Sequence, residues 1–224
     1  MLFFLWHLSH SWLPKPNIRK HTVAVYLLHL KDSYMPQAKS FSSTELTQVL
    51  DYVKTTKHSV RNRAMLLLTH WGGLRVGEVA ALRICDVLDG ENQVKSEIRL
   101  LPEQTKGRHP RTVFLNERLK AELQAFANEI TIKDRNYAFF PTQKYPKRGF
   151  TANTLTQHFK HIYKESGISG ATSHSGRRSF ITNLASKGIG VRVLMSLAGH
   201  RNIGTTQAYI DVNDDMKRKA VELI

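Results

Sequence analysis

The chain carries one cysteine, Cys85, in 224 residues. A single thiol closes no internal disulfide, which excludes a stapled secreted scaffold and points to a reducing, cytoplasmic setting. Burial as a small hydrophobe is the expected role of Cys85. Long apolar runs are missing too. Met1 to Leu13 is rich in Leu, Phe and Trp, yet it is too short to span a bilayer and lacks the basic residues that open an export signal. No basic amphipathic helix or lipidation motif stands out, so a membrane partner is not expected. There is no His-Glu-x-x-His and no cysteine cluster, which disfavours a metal site. Acidic residues are scarce: 18 Asp and Glu face 33 Lys and Arg, a formal net charge of +15. That excess favours a polyanionic partner, nucleic acid first. The length suits one domain with a core large enough to need no staples.

Residues 1–40 are broken by Pro14, Pro16 and Pro36 and show little periodicity, so they are expected to form an arm or a remnant. A domain start follows at Ser42-Ser43-Thr44-Glu45, a capping box with Phe41 and Leu46 at the staple positions. Helical spacing predicts a helix from about Ser43 to Lys57 and another through Val60, Ala64, Leu67, Leu68 and Trp71, closed by Gly72-Gly73. A short helix near Val76 to Leu82 comes next. The period then becomes two at Ile98 and Leu100 and again at Val113 and Leu115, around a polar break from Gln104 to Pro110, which predicts a β-hairpin. Helical segments are expected near Glu117–Ile130, Thr154–Ser166, His174–Lys187, Arg192–Ala198 and Asp214–Leu223. The fold class is α+β: mainly α with a small antiparallel sheet.

Several local words carry chemistry, and each has an ordinary reading when taken alone. In Gly73-Leu74-Arg75-Val76-Gly77-Glu78, Arg75 and Glu78 stand three apart at a helix start and could be a solvated ion pair. Lys106-Gly107 sits at the hairpin tip, where lysine beside glycine is common. His174-Ser175-Gly176-Arg177 opens a helix that Ser173 could cap, with Phe180, Ile181 and Leu184 as its buried face. There His174 and Arg177 lie near free N–H groups that favour an anion. In Leu197-Ala198-Gly199-His200, Gly199 closes a helix and sets His200 beyond it. Tyr209 follows Thr205-Thr206-Gln207-Ala208 and, by itself, reads as a half-buried core tyrosine. His158 and His161, three apart, read as a wet helix face.

Taken in order, Gly-Leu-Arg-x-Gly-Glu, His-x-x-Arg, Leu-x-Gly-His and Thr-x-x-Tyr resemble the signature of the tyrosine recombinases, the phage-integrase family, from about Phe41 to Tyr209. The resemblance implies a catalytic DNA breaking and rejoining domain over residues 41–224. Family members that act alone carry a helical core-binding domain ahead of it, where this chain has residues 1–40. Gly176 stands where the family often has leucine. By the resemblance, Tyr209 attacks a backbone phosphate to give a 3′-phosphotyrosyl bond. Arg75 and Arg177 clamp the non-bridging oxygens, and His200 adds a donor to them. His174 acts as base or proton shuttle, Lys106 as acid to the departing 5′ oxygen, and Glu78 orients a neighbouring cationic or imidazole group. No cofactor and no metal are implied. The partner is double-stranded DNA, with self-association into a synaptic tetramer on it. Two alternatives stay open: a type IB topoisomerase, and a DNA-binding regulatory or remnant protein of the same fold. In the tail, Met216, Ala220, Leu223 and Ile224 fall on one helix face, suited either to its own domain or to a neighbouring protomer.

Overall fold

The computed structural model describes residues 38–142, 147–210 and 214–222; the expected arm, apart from its last three residues, lies outside them. Ala38–Ile224 forms a compact unit. Its described helices are α1 (Ser43–Lys54), α2 (Ser59–Trp71), α3 (Val76–Ala80), α4 (Ile84–Val87), α5 (Glu117–Ala127), α6 (Ala152–Glu165), α7 (Ser175–Ser186), α8 (Val191–Ala198), α9 (Ile203–Gln207) and α10 (Asp214–Val221). Strands β1 (Glu97–Leu100) and β2 (Arg111–Phe114) pair antiparallel, with Ile98 opposite Val113 and Leu100 opposite Arg111. Mainly helical with one small antiparallel sheet, the architecture is the one the periodicities predict.

The N-cap Ser42 accepts from the Glu45 amide, and the Glu45 carboxylate accepts from the Ser42 amide, so the capping box is real. Helix α2 is buried on nearly all sides: Ala64, Met65, Leu66, Leu67 and Leu68 are each no more than 3% exposed. A helix buried on most sides sits at the centre of a bundle, and α2 packs on α1, α3, α5 and α7. Its C-terminus therefore emerges from the middle of the domain, and the site is built there. Helix α6 packs on α1 and α3, α7 on α8, and α8 on α9.

Three expectations need correction. His174, not Ser173, occupies the N-cap of α7, and its side chain makes no cap bond; Ser173 is buried. The buried face of α7 consists of Ser175, Gly176, Arg177, Ser179, Ile181 and Ala185, while Phe180 and Leu184 are only half-buried. Small residues let α7 approach α2 closely, and that closeness, more than apolar area, fixes its place. Short helices α4 and α9 are not among the expected segments. In the tail, Ala220 and Val221 are exposed, and Leu223 and Ile224 lie outside the described residues. Among the described residues no helix is long and apolar enough to cross a membrane.

Candidate active site

The glycine pair that ends α2 does more than stop a helix. Gly73 has φ +65°, and a Cβ there would lie 2.5 Å from the Phe180 ring, so only glycine makes this turn. The turn aims the Gly73 carbonyl inward, where it accepts from Arg177 at 2.5 Å and from Arg111 at 3.4 Å. Two residues later Arg75 caps α3. The Glu78 carboxylate accepts from the Arg75 amide at 2.8 Å and from its guanidinium at 2.9 Å. Glu78 is 1% exposed, so this is no solvated ion pair. A buried carboxylate needs more than one partner, and Arg111 supplies the second at 2.6 Å. Burial works to raise the Glu78 pKa, but hydrogen bonds and charge from Arg111 and Arg75 outweigh it and hold the carboxyl below its usual range.

Arg177, one turn into α7, is 5% exposed. Its guanidinium donates to the carbonyls of Gly73 and Ala198, tying the α2 turn to the end of α8. Burial, then the charges of Arg75 and Arg111, push its pKa down to about 9, so it stays cationic at neutral pH. A Cβ on Gly176 would lie 2.2 Å from the Thr69 hydroxyl oxygen. The departure from leucine therefore has a physical reason: the buried Thr69 of α2 fills the space a side chain would take.

Helix α8 ends at Gly199, whose φ of +61° is the left-handed closure expected of it. A Cβ there would meet the Arg111 side chain at 2.5 Å. Arg75 donates to the Gly199 carbonyl at 3.3 Å. His200 follows, its Nδ1 3.0 Å from the Thr206 hydroxyl, which fixes the ring and leaves Nε2 for another partner. Tyr209 lies in the turn after α9, not on a helix, its amide donating to the Thr206 carbonyl at 3.0 Å. Its half-buried ring stacks on His200 at 5.8 Å and carries the Arg178 guanidinium 5.2 Å from its centroid. Thr206 thus holds both His200 and the turn that presents Tyr209, a physical reason for Thr-x-x-Tyr.

Lys106 is exposed on the loop between β1 and β2, and shares one cleft with Arg75, Arg111, Gly199 and His200. Partial burial, then the charges of Arg177, Lys106 and Arg75, lower the His174 pKa. Burial first, then Arg177, Arg75 and Arg111, bring His200 to about 4. Both imidazoles are therefore held toward the neutral form. All six residues singled out from sequence fall in this one cluster, with Glu78 beneath it. Crowded cations with one buried carboxylate suit an anionic group bearing several oxygens.

Sequence reasoning missed Arg111 and Arg178, and it quoted Thr206 within Thr-x-x-Tyr without a role. For Arg111 a signal existed, since a charged residue with the parity of buried Val113 and Leu115 conflicts with an apolar inner face. His158 is corrected: it is half-buried, 3.0 Å from the Asn62 carbonyl oxygen and stacked on Phe150, and burial brings its pKa to about 4. His161 is the wet one. Cys85 is only partly buried. Among the described residues no group of His, Cys, Asp and Glu could hold a metal ion.

The model of the phage integrase family matches residues 39–216. Tyrosine recombinase XerA of Pyrococcus furiosus is 29% identical over 184 residues, covering 82% of this chain and 61% of that protein. Tyrosine recombinase XerD of Oceanobacillus iheyensis is 30% identical over 210 residues, covering 91% of this chain and 67% of that protein. Among solved structures, the Tn1549 transposon integrase in complex with circular intermediate DNA superposes with a TM-score of 0.62 at 21% identity, covering 82% of this chain and 66% of the other. The chain spans 61% of the length of its Pyrococcus furiosus relative. On the family match over most of its length, this chain belongs to the phage integrase family.

Proposed function

We propose that this chain cuts and rejoins double-stranded DNA as the catalytic part of a site-specific recombinase, with Tyr209 as the nucleophile. The observation that carries the proposal is the convergence of Arg75, Arg177, His174 and His200 beside the half-buried Tyr209. A phosphodiester resists attack because its charge repels nucleophiles and its leaving alkoxide is poor. Two arginines answer the first difficulty, since planar guanidiniums pair with non-bridging oxygens in parallel. Family membership and the DNA complex of the Tn1549 integrase support the choice of DNA.

The Tyr209 oxygen attacks phosphorus and gives its proton to His174, whose lowered pKa keeps it able to accept. A P–O bond to tyrosine forms, the P–O5′ bond breaks, and Lys106 protonates the leaving oxygen. His200 donates to the same phosphate oxygens. One phosphoester replaces another, so resealing by a 5′ hydroxyl needs no nucleotide. Residues 41–224 are the catalytic domain in this reading, with residues 1–40 as an arm, and assembly on DNA is as a tetramer.

The test is a pool of nicked suicide duplexes of randomised sequence, in which the short fragment beyond the cut diffuses away and strands the intermediate. A protein–DNA adduct that survives denaturant is expected from the wild type and none from Tyr209→Phe. Binding without any adduct would instead favour the regulatory-protein alternative. Sedimentation with the recovered duplex tests the tetramer.

A further inference from the structure

Arg111 opens β2 opposite the buried Leu100, and its side chain is 9% exposed. A guanidinium in that position is costly unless its donors are matched. They are matched by three different segments. Nε and one terminal nitrogen hold Glu78 at 3.3 and 2.6 Å, the other terminal nitrogen donates to the Leu197 carbonyl at 2.8 Å, and a weaker bond reaches the Gly73 carbonyl at 3.4 Å.

Each segment carries a piece of the cluster. Glu78 is the group that holds the Arg75 guanidinium. Gly73 presents the carbonyl that also receives Arg177. Leu197 lies three residues before His200, and the stem of Arg111 packs where a Cβ on Gly199 would be. Its own strand continues the loop that bears Lys106. Arg111 is thus the one side chain among the described residues that bonds to Glu78, to the Gly73 carbonyl that also receives Arg177 and to the end of α8 that leads into His200, while standing on the Lys106 hairpin.

We propose that Arg111 is a positioning residue for DNA cutting: it sets where Arg75, His200 and Lys106 stand relative to one another, through Glu78 and the end of α8, without itself holding the phosphate. The inference rests on the cutting activity proposed above. Lysine could keep the charge but not the three-way fork. Misplacement of a clamping group by about 1 Å costs on the order of a hundredfold in rate, and that is the loss expected for Arg111→Lys.

A purely structural role would also lower the rate, so the decisive readout is the pH profile. The charged groups that face Glu78 are Arg75 at the start of its own helix, Arg111 on β2 and Arg177 on α7. Without Arg111, burial is opposed only by Arg75 and Arg177, and the carboxyl protonates at higher pH. The variant then loses Arg75 placement as pH falls, over a range in which wild-type Glu78 stays ionised. Arg111 is among the charges that lower His200, so its loss also raises His200; Arg111→Met and Arg111→Met/Glu78→Gln share that change, and the difference between their profiles isolates Glu78.

Single-turnover adduct formation, DNA affinity and melting curves are measured for the full chain, Arg111→Lys, Arg111→Met and Arg111→Met/Glu78→Gln, on the duplex recovered from the randomised pool. Expected are a large rate loss at unchanged DNA affinity, an extra acid-side fall for Arg111→Met relative to wild type, and disappearance of that extra fall when Glu78 is also neutral. A folded Arg111→Lys with wild-type rate overturns the inference, as does a folded Arg111→Met with a wild-type pH profile. If Arg111→Met does not fold, Arg111→Gln and Arg111→Gln/Glu78→Gln take its place in the same pH-profile comparison. A wild type that gives no adduct overturns the cutting reading itself, a result distinct from any of these.

Discussion

Gly176→Ala should destabilise the domain, although helix propensity argues the opposite. Glycine is about 0.8 to 1.0 kcal/mol worse than alanine in a helix interior, and less of that gain applies in the first turn of α7. Against it stands the geometry: the new Cβ would lie 2.2 Å from the Thr69 hydroxyl oxygen, 3.0 Å from its Cβ and 3.4 Å from the His70 amide. Rotating Thr69 aside would break its 2.7 Å bond to the Leu66 carbonyl, a loss of roughly 1 kcal/mol. Overpacking of this kind costs typically about 1 to 3 kcal/mol, which outweighs the propensity gain. For a domain of this size each kcal/mol moves the melting temperature by roughly 2 to 4 °C. Thr69→Ala removes the clashing oxygen, so Gly176→Ala should cost less in that background, with a coupling of about 0.5 kcal/mol or more. Urea or thermal melts of the four proteins measure this cycle. Additive effects, or a more stable Gly176→Ala, would refute the packing argument.

The remaining predictions concern charge. Arg75→Lys and Arg177→Lys should each lose roughly 3 to 4 kcal/mol of transition-state stabilisation, several hundredfold in cleavage rate, because a point charge lacks the two parallel donors; near-normal rates in both would show that net charge suffices. DNA affinity should fall on the order of a thousandfold between about 50 and 200 mM salt if six or more phosphates are contacted, and a flat response would remove DNA as the partner. Stability should decline on acidification. The buried His70 is held near 4 against an ordinary value of 6.5, so the unfolded chain binds the extra proton. The stability is present above about pH 6.5 and lost as pH falls toward about 4, by about 3 kcal/mol for this residue. The half-buried His158 and His200 act in the same direction. A urea midpoint independent of pH over that window would contradict the assignment.

Local signals were legible wherever the chain solves its own problem. The Ser42–Glu45 box, the Gly72-Gly73 stop and the left-handed Gly199 each depend on residues within a few positions, and each appears where sequence places it. The hairpin follows from alternation around Ile98 and Val113. What sequence could not show is which distant group completes a local one. Glu78 was visible beside Arg75, but its second partner is 33 residues away in sequence. Thr206 looked like part of a word, and its bond to His200 gives the word a reason. His158 was misjudged because its burial comes from Phe150 and Asn62, which share no periodic pattern with it. The α7 face was misjudged because close approach to Thr69 selects small residues where the helical period led one to expect large apolar ones.

The most direct test of the central claim is mass spectrometry of the peptide that carries DNA after the suicide reaction. Expected is one modified peptide, the one containing Tyr209, with the nucleotide joined to the tyrosine oxygen through its 3′ phosphate and a free 5′ hydroxyl on the released strand. A nucleotide on any other residue, or a 5′-phosphate linkage, would contradict it.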